Sequence, residues 1–326
     1  MNIRIWCYLV VLVVLPGQLQ AETVFRFGHI LKPSTAHHQN LVWAQEAIKT
    51  AFGSRYALEV YPEGMLGKTD LQNVEGFEKG TTNMAYLSFG HLVNLYGQLA
   101  IGGGPFVFRD FGHWQAFKQS ELFKALVNGF EKQTGMTVLG LAYYGERHVT
   151  TKVPLGPNHT LEGLLIRVPS IPISTQTFRL LGAKPVPIPF HEVYQALQDD
   201  VVQAQENPLP AIKAMKFYEV TPVINLTAHF TDAQLIVVDT QVWQAVPAAE
   251  RAQLGNIFET TGNRVTEDVR KAELRLAKEL KEMGAVINPV DRAALAGRIQ
   301  PYHLDGNTFP WTGDIYTRIQ QIKSLP

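Results

Sequence analysis

Two arginines stand out because they sit in stretches otherwise apolar. Arg167 is embedded in Leu164-Leu165-Ile166-Arg167-Val168-Pro169, and Arg147 follows the apolar run from Leu139 to Tyr144. A guanidinium in such a strand is costly to bury unless it is paired. Its planar five-donor fork suits a carboxylate, which it holds through two parallel hydrogen bonds. For Arg167 two readings stay open: an ion pair with a core acid such as Glu206, or capture of a ligand's carboxylate.

Signatures of catalysis are incomplete. His191-Glu192-Val193-Tyr194-Gln195 begins like a zinc-protease helix but lacks the second histidine, so half the metal ligands are missing. Ser88, in Tyr86-Leu87-Ser88-Phe89-Gly90, lacks the first glycine of a nucleophile elbow. Gly102-Gly103-Gly104-Pro105 has neither the spacing nor the lysine of a phosphate loop and reads as a turn or a close backbone approach. His37 and His38 are adjacent, so on a helix they diverge, and they read as a solvated helix start. No catalytic residue, metal or cofactor is expected, and the chain is not read as an enzyme.

The elements that position the arginines follow from periodicity. Val24–Ile30, Tyr56–Tyr61 and Met84–Phe89 read as strands, separated by a helix with Leu41, Ala44, Gln45 and Ile48 on one face, ending near Gly53, and by a helix over Lys68–Lys79. A second series places strands at Thr137–Tyr144, Thr150–Val153 and Leu164–Val168. It continues with a helix at Ser174–Leu181, a short extended segment at Val186–Ile188 and a helix at His191–Asp199. Val201–Gln205, Ile224–Thr227 and Gln234–Val238 complete the strands. This alternation indicates an α/β protein with a largely parallel sheet. Pro247–Met283, broken only by Gly255 and Gly262, is long enough as a helix to bridge two domains, and Gly284 ends it. Two α/β units without a flexible linker imply lobes with a ligand cleft between them.

The 326 residues carry 29 basic and 29 acidic side chains, so no excess charge points to nucleic acid or an anionic membrane. Arg4, the apolar run Ile5–Leu15, Pro16-Gly17 and Ala21 compose a secretory signal peptide over residues 1–21. That run is too short to span a bilayer, and nothing beyond Glu22 is long enough. The only cysteine, Cys7, falls inside the signal. Export without cysteine suits a bacterial periplasm, and a protein that does not itself span the membrane once the signal is cleaved.

The stretch Leu161-Glu162-Gly163-Leu164-Leu165-Ile166-Arg167-Val168-Pro169 resembles a signature of solute-binding proteins from tripartite ATP-independent periplasmic (TRAP) transporters, of the dicarboxylate-binding family. The likeness continues through Thr177–Ala183, Pro187–Leu197, Gln205-Glu206-Asn207-Pro208 and Lys216–Val220. Glu63–Gly67 and Pro105–Asp110 are also similar. The resemblance implies two α/β lobes with a ligand cleft between them, a long helix spanning both, and closure around a small organic acid delivered to a membrane permease. The lobes are expected at 22–145 with 234–272, and at 146–233 with 273–326. Arg167 aligns with the arginine that pairs with the ligand's carboxylate, Arg147 with a second basic contact, Asn207 with an amide on the same group, and Phe190 with an aromatic wall.

Departures from the family pattern also carry weight. Val202-Gln203-Ala204-Gln205 replaces a motif that usually contains Asp and Gly. Tyr86, Leu87 and Phe190 are expected to give an apolar pocket floor that favours a modest, partly apolar acid. His229, Tyr143 and Trp243 stand as secondary contacts or as core and rim residues. A ligand sensor reporting to a membrane receptor uses the same fold, and a secreted hydrolase or lyase built on Ser88 or the histidines is the third reading.

Overall fold

The computed structural model describes residues 23–155 and 160–325, so the expected signal peptide and Cys7 lie outside the described residues. The strands are β1 (Thr23–Gly28), β2 (Tyr56–Tyr61), β3 (Met84–Ser88), β4 (Met136–Thr151), β5 (Leu165–Val168), β6 (Lys184–Pro187), β7 (Ala204–Pro208), β8 (Val223–Asp239) and β9 (Val286–Pro289). They form one sheet in the order β2-β1-β3-β8-β4-β7-β5-β6, with β9 paired to β8. The α/β class stands, but the largely parallel sheet is corrected. Pairing is parallel toward both ends and antiparallel through the middle, where β8 meets β3 and β4, and β4 meets β7.

That middle explains why the segment boundaries differ. Thr137–Tyr144 and the start of Thr150–Val153 belong to the single 16-residue β4, which ends at Thr151, and Ile224–Thr227 and Gln234–Val238 to the 17-residue β8. Polar residues between the apolar runs imitate a break, yet the backbone stays extended because their side chains pair with one another in the interior. At about 3.3 Å per residue each strand runs roughly 50 Å. The strand expected at Val201–Gln205 begins later, at Ala204.

Helix starts obey local chemistry. Thr35, Thr69 and Ser120 accept hydrogen bonds from His38, Gln72 and Phe123 N–H groups, capping Ala36–Phe52, Asp70–Lys79 and Glu121–Thr134. Two buried cores result. The larger gathers Phe25, Phe27, Leu41, Met84, Phe130 and Ile236, and the smaller Val193, Leu197, Leu209, Ile212, Phe217 and Ile224.

One 35-residue helix, Ala248–Glu282, serves both cores. Leu254, Phe258, Val265 and Val269 face the larger core, while Leu276 and Leu280 face the smaller. Gly255 and Gly262 lie inside it without breaking it. At Gly262 the helix rests on β4 so closely that a Cβ would stand 2.8 Å from the Leu141 carbonyl oxygen. The Gly102-Gly103-Gly104 run is also a packing device. Cβ atoms on Gly102 and Gly103 would fall 2.7 and 2.9 Å from Phe89 side-chain atoms, so the close neighbour is a side chain, not backbone.

The two helix glycines should respond oppositely to alanine. At Gly255 a Cβ meets only Trp243, at 3.8 Å, so Gly255→Ala should stabilise by up to about 1 kcal/mol through helix propensity. At Gly262 the contact is with backbone, and overpacking of about 1–3 kcal/mol should outweigh that gain. Urea midpoints of the two variants decide it. A stabilised Gly262→Ala protein would mean that the helix does not press on β4.

Candidate functional site

The site forms where β4, β5, β7 and β8 lie side by side. Arg147 of β4 is 7% exposed and almost wholly committed. Its Nε and Nη2 fork onto the Glu206 carboxylate of β7, with Nη2 to Oε1 at 2.8 Å. Nη1 donates to Asp232 of β8 at 2.9 Å, and Nη2 also reaches the Asn207 side-chain oxygen at 3.3 Å. His229 Nε2 lies 3.1 Å from Glu206 and its Nδ1 lies 2.7 Å from the Thr227 hydroxyl. Because an ionised carboxylate only accepts, the proton belongs on Nε2, and Thr227 donates to Nδ1. Burial keeps His229 neutral by lowering its pKa. Despite its own burial, Glu206 is held ionised, at about 2, chiefly by Arg147 and then by His229. Asp232 is pushed up by burial, so Glu206 is the principal counter-charge.

Arg167 of β5 contrasts with this. It is 2% exposed, yet Nε and Nη2 both donate to one backbone carbonyl, that of Ile188, at 2.9 and 2.6 Å. Among the described residues, no acid lies within ion-pair distance, and Nη1 has no hydrogen-bond partner. Burial lowers its pKa to about 10, with Glu206 opposing at longer range and Arg147 adding repulsion. The ion pair with Glu206 that the sequence offered as one reading of Arg167 is therefore made by Arg147. Asn207 donates one amide N–H to Gln205 Oε1 at 2.7 Å, leaving the other N–H uncommitted.

The remaining expected residues separate. Tyr86 is buried and donates from its hydroxyl to the His37 carbonyl at 3.1 Å. Leu87, its neighbour on β3, points to the opposite sheet face because strand side chains alternate, and it lies in the larger core. The two cannot floor one pocket together. The residue that shares the Tyr86 face is Ser88, whose hydroxyl donates to Asp70 at 2.7 Å and lies 3.1 Å from Gln234 Nε2. Phe190 is half-buried and meets Phe217 edge-on at 6.1 Å. Tyr143 donates to Glu273 and Trp243 packs in the larger core.

His37 and His38 are not a solvated helix start. His37 is buried against Tyr86 and Tyr144, ring centroids 5.3 Å from each, and its Nε2 has no hydrogen-bond partner. Burial takes its pKa to about 3, so the ring is neutral. His38 Nδ1 meets His29 Nε2 at 3.1 Å. Both His37 and Tyr144 line a cavity of about 570 Å³ together with Phe190, Lys32, Met215 and Leu276. Neither Arg147 nor Arg167 lines that cavity, but Tyr144, which does, feels the charge of both. A second void of about 30 Å³ touches Arg147, Asp232, Ser88, Gly90, Ile171 and Ser174. Asp232, Asp70 and Tyr144 were not singled out from the sequence, and His37 was read only as part of a solvated helix start. For Asp232 the signal was available: an acid just before the apolar run Gln234–Val238 is the same anomaly as Arg147 just after one.

The chain is similar to known proteins along most of its length. The profile of the bacterial extracellular solute-binding proteins, family 7, matches residues 27–307. The chain is 26% identical over 287 residues to the sialic acid-binding periplasmic protein of Vibrio cholerae, covering 88% of this chain and 89% of that one. It is 26% identical over 282 residues to the 2,3-diketo-L-gulonate-binding periplasmic protein of Escherichia coli, covering 86% and 85%. A TRAP periplasmic solute binding protein from Bordetella, with density interpreted as pantoate, superposes with a TM-score of 0.85 at 26% identity, over 93% of this chain and all of that one.

Removing the Glu206 carboxylate should leave Arg147 short of its main partner. Glu206→Ala is expected to lose about 3–5 kcal/mol of stability in urea unfolding. The folded carboxyl titrates at about 2 against an ordinary 4.5, so its contribution is complete above about pH 4.5 and is lost as pH falls toward 2. Glu206→Gln should flatten the stability profile in that window. An unchanged acid profile would assign the acid sensitivity elsewhere.

Proposed function

The chain belongs to family 7 of the bacterial extracellular solute-binding proteins, the TRAP type, and from that premise we propose that it captures a small organic acid by its carboxylate. The observation that carries this is Arg167: a buried guanidinium held in place by one carbonyl, with no acid paired to it among the described residues. A ligand carboxylate supplies the missing charge, and the free N–H of Asn207 supplies a further donor. Arg147, mostly committed to Glu206 and Asp232, positions this arrangement and offers a second cationic field. Phe190 forms an aromatic wall, shared with the larger cavity.

Because Ser88, Asp70 and Gln234 share the Tyr86 face, the pocket favours an acid bearing hydroxyl groups over the partly apolar acid expected from Leu87. The Gln234 carbonyl oxygen, buried without a partner, is a ready acceptor for one such hydroxyl. The relatives named for sialic acid and diketogulonate support this direction. The proposed lobes are 22–145 with 234–272, and 146–233 with 273–326. They would part to admit ligand and close over it, the closed form docking on a membrane permease. A periplasmic site of action follows from the same reading. Among the described residues, no helix is long and apolar enough to cross a membrane.

A thermal-shift screen with hydroxy, keto and sugar acids tests this, with their amides as controls. A ligand at about one hundred times its Kd adds roughly 2.7 kcal/mol, a shift of several degrees. Arg167→Ala should weaken binding by about 2–5 kcal/mol, measured by calorimetry. A loss smaller than about tenfold, or equal binding of acid and amide, would overturn the assignment.

A further inference from the structure

The spine helix Ala248–Glu282 changes from one core to the other between Val269 and Leu276, and the buried carboxylate in that interval is Glu273. Opposite it, β4 is irregular. Its pairing with β8 shifts register between Tyr143 and Gly145, leaving Tyr144 as the extra residue, and Gly145 has φ +125°. A bulge of this kind frees backbone N–H groups from the ladder. Helix side chains take them up: Thr266 accepts from Tyr143 N–H at 3.2 Å, and Glu273 from Glu146 N–H at 2.6 Å. Glu273 also accepts from the Tyr143 hydroxyl at 3.0 Å, with Arg270 3.4 Å away. A side chain at Gly145 would fall 2.8 Å from Glu273 Oε1 and 2.7 Å from Pro208.

What the bulge presents is functional. The extra residue, Tyr144, lies beside His37 on the cavity wall, and Arg147 follows three residues later. We infer that Glu273 is a positioning residue for ligand binding: by fastening the spine helix to the β4 bulge it aims Tyr144 at the cavity and sets Arg147 against Glu206. The inference rests on the ligand reading above for its binding consequence, but the fastening itself does not.

The groups facing Glu273 are Tyr143 and Glu146 of β4 and Arg270 of its own helix. Burial raises its carboxyl to about 7, the Glu146 carboxylate adding repulsion, against the hydrogen bonds from Glu146 N–H and Tyr143 and the charge of Arg270. Two opposed pH effects follow. Folding is disfavoured by the ionised form, so stability should rise as pH falls from about 7 toward 4.5. The ionised form is also the better double acceptor, so the fastening, and with it affinity, should weaken over the same fall.

The test uses the mature chain with Glu273→Gln, which keeps shape and one acceptor, and Glu273→Ala. The protection factor of the Glu146 amide, its exchange corrected for the intrinsic pH dependence and measured without ligand, should fall in Glu273→Ala and lose its pH dependence in Glu273→Gln. With L-galactonate and pantoate as probes, the wild-type Kd should rise between pH 8 and 6. The Gln variant should bind about two- to thirtyfold more weakly at pH 8, with a flat profile, while being the more stable protein there. Unchanged Glu146 exchange in both variants overturns the inference, as does a Kd profile identical to wild type when a probe binds. If neither these probes nor any acid of the thermal-shift screen binds the wild type, the ligand reading fails while the exchange experiment still decides the fastening.

Discussion

A buried guanidinium must find compensation, and this requirement at Arg147 organises the middle of the molecule. Glu206 has to come from β7 and Asp232 from β8, so both strands must flank β4 in one register. His229 and Thr227 complete the acceptors and donors around Glu206. Once this pair is made, charge close to Arg167 is largely spoken for. The second arginine, on β5 beyond β7, stays desolvated and, among the described residues, without an acid of its own. One cation is neutralised within the sheet, and the other is held by a single backbone carbonyl.

Much of the architecture was legible because apolar periodicity reports burial. The spine helix, β1 to β3 and the strand carrying Arg167 all follow from spacing. What failed lies where burial and polarity coincide. β4 and β8 each looked like two strands because Gly145-Glu146-Arg147-His148 and His229-Phe230-Thr231-Asp232 interrupt the apolar runs. Those interruptions are interior polar residues paired across strands, which a one-dimensional pattern treats as surface. The sheet's antiparallel centre was hidden by the same error, since halved strands suggest more crossovers than the chain makes.

The site was legible at the level of residue type and less so at the level of role. Arg147 and Arg167 were both singled out, but nothing local decides which of them Glu206 neutralises; that depends on pairing between residues 59 positions apart. Leu87 and Ser88 show a finer limit. A one-residue choice of face decides whether a floor is apolar or hydroxyl-bearing, and the face follows from sheet register. His37 next to His38 illustrates the converse: divergence on the helix was correct, but the direction of each ring was set by the strands beneath.

The sheet order has a further consequence for how the chain acquires its structure. β3 ends near residue 88 but pairs with β8, which begins at residue 223, and the helix covering both cores starts only at residue 248. A chain emerging from its N-terminus therefore cannot seal its first core until about three quarters of its length has appeared. Such non-local pairing makes collapse to the native state slow, because loop closure must precede the contacts that reward it. A polypeptide of this topology therefore stays without a sealed core for most of its synthesis.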